Sequence, residues 1–171
     1  MDILERLLGH DEWTTRTVLL RCQGLTGEQL DRDFDIGHRN LRATWVHLIG
    51  NLQVWTDLMA ERPVREEPDE VPWAASPAAL LAAWEGAMGE FAALARRLAA
   101  EGRLDDTYTD TLDDPPRPKT FGGTIAHLLT HDMHHRGEVL HMLARLGVPD
   151  LPEGDVLGWE AAMRRGGEGR P

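Results

Sequence analysis

Apolar residues along this chain recur every three or four positions, the helical interval, and nowhere alternate strongly enough to suggest a sheet. The first such stretch runs from Asp2 to Gln23, with Ile3, Leu7, Trp13, Val18, Leu19 and Cys22 on its apolar side, and Gly24 ends it. Thr26-Gly-Glu-Gln29 has the form of a capping box opening a short turn of helix through Leu30. After an aperiodic connection from Asp33 to Arg39, Asn40 is the candidate cap of a second helix. This covers Leu41 to Glu61 and is patterned by Leu41, Trp45, Leu48, Leu52, Trp55 and Leu58.

Val64 to Trp73 is acidic and proline-containing and reads as a solvated loop, including the run Glu66 to Glu70. Ser76-Pro77 is a strong start signal for a third helix, alanine-rich, reaching Glu101 before the stop at Gly102. Arg103 to Lys119 is a long connection, with Thr107-Tyr-Thr109 a candidate extended piece, and such connections often carry function. The fourth helix spans Phe121 to Leu146, capped by Thr120 and ended by Gly147. The expectation is therefore an all-α antiparallel four-helix bundle over residues 1–150. A tail over residues 151–171 holds one short helix around Val156 to Met163 and a disordered end from Arg164.

Composition narrows the partners. The 171 residues carry a net charge of −11, the opposite of the basic footprint a nucleic acid or an anionic membrane selects. No stretch reads as a membrane span, and the opening MDILERLLGHDEW is acidic where a secretory leader would be basic. One cysteine, Cys22, leaves no internal disulfide and suits a reducing cytoplasm.

Histidine usage changes the picture most. Five of the eight histidines (His127, His131, His134, His135 and His141) fall within fifteen residues of the fourth helix. On a helical wheel they and Glu138 share an arc of about 120°. Leu128, Val139 and Met142 border or interrupt that arc, so the face is not simply a solvated one. His131 and His135, four residues apart, can chelate one ion without disturbing the helix. Zinc, nickel and iron(II) all accept neutral imidazole. A catalytic site usually takes three protein ligands, and His47, mid-helix among Trp45, Val46 and Leu48, is the strongest candidate for the third. Spacing alone leaves open the alternative that His47 is a core histidine satisfied by hydrogen bonds. His10 and His38 read as surface or loop residues.

Two stretches resemble the DinB/YfiT superfamily. Thr44-Trp-Val-His47 through Trp55 is similar to its second-helix pattern of a histidine followed two turns later by an aromatic. His131-Asp-Met-His-His-Arg-Gly-Glu138, followed by Leu143-Ala-Arg-Leu-Gly147, is similar to its H-x-x-x-H-R-G-Q run with a closing Leu-Gly. Glu138 stands where the family usually has glutamine. The resemblance covers residues 2–147. It implies a four-helix bundle, commonly dimeric, in which His47, His131 and His135 bind a divalent metal, with His134 and Arg136 supporting. It also implies kinship with transferases and isomerases that use mycothiol or bacillithiol.

Three neutral imidazoles would leave a divalent ion its full charge, favouring an anionic ligand. A low-molecular-weight thiol would then be deprotonated for attack on a small electrophile, or water would serve in a hydrolase. Glu138 is a candidate for orienting a ligand imidazole or acting as a base, against a solvated carboxylate or a partner for an arginine. Cys22 reads as a core residue rather than a nucleophile. Tyr108 either roofs the site or packs. Trp13, Trp45, Trp55 and Trp84 read as core and interhelix contacts. The competing expectations are a non-catalytic metal- or ligand-binding stress-response bundle, and a structural metal in a protein acting through a homodimer surface.

Overall fold

Every long helix begins where a side chain can take up an unpaired backbone N–H, and those caps explain the element boundaries. In the computed structural model, which describes residues 1–65 and 74–168, Asp2 accepts from the Glu5 amide and opens α1 (Ile3–Arg21). Thr26 and Gln29 form a reciprocal capping box at α2 (Gly27–Asp31). Asn40 caps α3 (Leu41–Met59), Ser76 caps α4 (Pro77–Ala100) with proline at the first turn, and Thr120 caps α5 (Phe121–Arg145). A further helix, α6 (Val156–Glu168), follows. The acidic run Glu66 to Glu70 and the chain end 169–171 lie outside the described residues.

The four long helices close a ring. α1 packs against α4 and α5, and α3 packs against the same two. The enclosed core includes Leu8, Val18, Trp45, Leu52, Trp84, Phe91, Leu128 and Met142, all essentially inaccessible. Each such aliphatic side chain contributes about 1.5–3 kcal/mol by leaving water. By length and composition α4 is the one helix among the described residues that could cross a membrane. Its Leu80, Trp84, Met88, Phe91 and Leu98 are instead buried inside the ring.

Two expectations are corrected. The long connection between α4 and α5 carries a strand pair: β1 (Thr107–Asp110) runs antiparallel to β2 (Arg117–Thr120), with Thr107 opposite Thr120 and Asp110 opposite Arg117. Four-residue strands are too short to show alternation, and Pro118 is tolerated because a two-stranded ribbon has free edges. Tyr108 points inward, stacked on Phe121 with ring centroids 5.3 Å apart and its hydroxyl 2.8 Å from the Thr124 hydroxyl. Its role is therefore packing: it pins the hairpin to the start of α5.

The second correction concerns His10, which is buried rather than superficial. α6 extends to Glu168 rather than Met163 and packs on α1, where its Trp159 is buried against Gly9, leaving no room for a side chain there. The segment leading into α6 brings the Gly154 carbonyl to 2.9 Å from His10 Nε2. Burial lowers the His10 pKa, partly offset by that hydrogen bond.

Candidate metal centre

His47 sits midway along α3; His131 and His135 sit one turn apart on α5, facing it. The helices bring the His47 and His135 rings up to His131. His131 Nε2 lies 3.1 Å from His47 Nε2 and 3.1 Å from His135 Nε2. Two nitrogens bound to one tetrahedral ion at about 2.0–2.1 Å would be roughly 3.3 Å apart, so the spacing fits a shared ion. Asn51, one turn beyond His47, places Nδ2 at 3.3 Å from His47 Nε2 and 3.2 Å from His131 Nε2. An amide N–H directed there needs lone pairs to receive it, so those nitrogens behave as acceptors.

Protonation favours the same reading. His47 is pulled down to about 4, first by burial and then by His38 and His135. His131 also falls to about 4, by burial and then by the neighbouring imidazoles, His135 first. Both rings are therefore neutral at physiological pH, the form that binds metal. Glu138 lies 2.7 Å from His135 Nδ1 through Oε2. A carboxylate accepts, so the His135 proton sits on Nδ1 and Nε2 keeps a free lone pair. Glu138 Oε1 is also 3.3 Å from the exposed His134 Nε2.

His38 stands where the sequence placed it, exposed in the connection before α3, but it is part of this cluster. Its ring packs on His47 with centroids 4.0 Å apart and lies 5.2 Å from His135. One nitrogen from each of His38, His47 and His135 lies within 4.8 Å of the others. Neither spacing nor periodicity signals this, because His38 reaches the site through a non-helical path. His127 and His141 are exposed on α5.

Arg136, next in the chain to His135, points about 100° away and is buried at the α1–α5 seam. It donates to Asp11 and, at 2.7 Å, to the Thr15 hydroxyl. Its part is structural. Asp132 is buried in the same pocket. Cys22 is fully buried, and burial raises its thiol to about 12, which excludes it as a nucleophile.

A cleft of about 460 Å³ opens one helical turn from the histidines, lined by Trp55, Pro118, Lys119, Thr120, Gly123, Thr124 and His127. Trp55 follows Asn51 by four residues and His127 precedes His131 by four, so the cleft continues the same seam between α3 and α5. The His127 ring is 5.4 Å from His131 and 6.1 Å from Trp55. Trp55 is thus half-buried against a cavity rather than a plain interhelix contact; Trp45 and Trp84 are core. Lys119 lies over the Trp55 ring at 5.6 Å while held by Asp110 and Asp113, each at 3.1 Å, so its charge is already answered.

A family model described as the DinB superfamily matches residues 10–139, most of the chain. The chain belongs to the DinB superfamily. This DinB-superfamily domain is predominantly helical and carries a histidine-based candidate site for a divalent metal. The matched span includes His38, His47, His131, His135 and Glu138. No curated protein matches the chain.

Proposed function

We propose that this protein is a metal-dependent enzyme in which His47, His131 and His135 hold a divalent ion and a small thiol or water attacks a small electrophile. The observation that carries the reading is the approach of the His47 and His135 Nε2 atoms to within hydrogen-bonding distance of His131 Nε2, with no acidic side chain among the three to neutralise an ion. Zinc, nickel and iron(II) suit such a donor set. An ion held there would supply positive charge that lowers the pKa of a thiol or of water.

The chain's own groups supply the rest. Glu138 fixes the His135 tautomer by accepting its Nδ1 proton, and Asn51 offers an N–H beside the site. The Trp55 face and the His127 ring shape a cleft suited to a flat, largely apolar substrate. With Lys119 neutralised by two carboxylates, the cleft has no spare cation among the described residues to select a strongly anionic one.

Metal analysis of protein purified without chelators, then reconstituted with zinc, nickel or iron(II), tests the reading. One ion per chain is expected in the wild type, and much weaker retention in His47→Ala and His131→Ala. Incubation of the loaded protein with a small thiol and monochlorobimane should then give metal-dependent conjugate. A wild type that takes up no stoichiometric ion would sink the proposal. A metal-loaded protein without turnover on thiol or hydrolytic substrates would instead favour the non-catalytic metal-binding bundle.

A further inference from the structure

The connection before α3 is built to a definite shape. Phe34 is buried, and its amide donates to the Arg39 carbonyl at 2.6 Å, while the Arg39 amide donates to the Ile36 carbonyl at 2.9 Å. The turn needs two left-handed residues, Gly37 at φ +50° and Arg39 at φ +70°, and Arg39 is held in place by Asp33. At Gly37 the backbone rests directly against the Glu138 carboxylate, where any side chain would collide with it. Glu138 therefore meets two things at once, the His135 ring and the loop bearing His38.

The result is an exposed histidine turned back onto a half-buried one and a buried one. A polar ring on a surface loop ordinarily gains most by reaching into water. His38 instead lies 4.0 Å from the His47 ring, with a nitrogen close to those of His47 and His135. We propose that His38 is a fourth imidazole for the same ion, carried by the loop to the solvent side of the site, which an incoming thiolate or other anion displaces. This rests on the three-histidine reading above and adds to it how the site is closed at rest. Four protein donors make a closed site and three leave an opening; a donor on a loop rather than a helix can be either. The exchange is a ligand substitution: one neutral imidazole leaves for solvent, one anion takes its place, and nothing is oxidised or reduced.

Cobalt(II) loading provides the test, because its visible bands report coordination independently of turnover. Wild type, His38→Ala, His38→Gln and Gly37→Ala would be compared with His47→Ala, each checked by circular dichroism for an intact helical fold. His38→Ala is expected to keep one cobalt ion per chain, with affinity reduced roughly 10–100-fold, the loss that outer metal-site substitutions already produce. Its spectrum should differ from wild type and be restored by added imidazole, and 2-mercaptoethanol should bind it more tightly than wild type. Gly37→Ala, which pushes the loop off Glu138 while keeping the imidazole, should shift in the same direction by less. Equal affinity and superimposable spectra for wild type and His38→Ala would overturn the fourth ligand, and loss of cobalt by His47→Ala alone would leave the three-histidine site standing. A wild type that binds no cobalt would overturn both.

Discussion

Helix α5 carries two polar clusters on different sides, and they solve opposite problems. Toward α1, Arg136 donates to Asp11 and Thr15 beside Asp132, and all of these side chains are buried. Cation and anions answer one another there, with one charge of the set to dispose of. Burial, followed by the charge of Asp11, raises the Asp132 pKa well above the usual carboxylate range. Toward α3, His47, His131 and His135 present ring nitrogens of the same character to one another, and the Glu138 carboxylate meets only the outer nitrogen of His135. The first cluster balances cation against anion within itself, although Asp11 Oδ2, Asp132 Oδ1 and Arg136 Nη2 are buried without a hydrogen-bond partner. The second gathers ring nitrogens whose lone pairs suit a cation, and this contrast separates a structural polar network from a candidate binding site. Charged residues alone would have drawn attention to the wrong one.

The sharpest way to break the comparison is to unbalance the complete cluster. Arg136→Met should strand the Asp11 carboxylate in the core and cost about 3–5 kcal/mol. Thermal melting should record a drop of roughly 10 °C or more, with metal uptake by the folded fraction unchanged. A melting temperature equal to wild type would mean the pair is not buried as described.

His47→Ala should do the reverse. Its apo form should melt within a few degrees of wild type, while metal affinity falls by more than the roughly 10–100-fold that loss of an outer partner costs. Competition against a chelator reads this directly.

Glu138→Ala should fall in that 10–100-fold range, because His135 loses the acceptor that fixes its tautomer. Glu138→Gln keeps an acceptor oxygen and should lose much less. Equal losses in the two variants would assign the effect to the carboxylate charge instead.

The smallest effect is a pH signature of the apo protein. His47 and His131 fall from 6.5 to about 4 in the fold, so the unfolded chain binds protons first as pH drops. Their stabilisation is complete above about pH 6.5 and is lost progressively toward about pH 4. Asp132 has the opposite sign: its raised pKa favours the fold at low pH, and that advantage fades as pH rises through its folded value. Between pH 4 and 6.5 the apo melting temperature should therefore climb more gently than the histidines alone would give. It should climb more steeply in Asp132→Asn and flatten in a His47→Ala, His131→Ala double variant. Identical slopes in all three would refute the assignment.

Much of the frame is legible in the chain because its signals are local. Asp2, Thr26, Asn40, Ser76 and Thr120 each bond within three residues, so their caps and helix starts can be read in order. The approach of His131 to His135 follows from their four-residue spacing, and His47 stands out as a polar residue among apolar neighbours. His38 is hidden because its place depends on two left-handed residues and on Glu138, a hundred residues away. His10 is hidden for a similar reason: its partner is the carbonyl of Gly154, brought over by α6. The buried status of Asp11 and Asp132 likewise depends on a guanidinium arriving from another helix.

The hairpin has one more consequence. The histidines ride on α3, α5 and the loop before α3, whereas one wall of the cleft, Pro118 and Lys119, belongs to β2. The hairpin is anchored at its base by Tyr108 on Phe121, leaving the turn from Thr111 to Pro116 beyond the paired strands. The candidate metal ligands and this one wall of the cleft thus lie in separate stretches of chain. Lengthening or trimming that turn would reshape this wall of the cleft while leaving the ring of imidazoles untouched, so a lineage could remodel the cavity by editing a few loop codons.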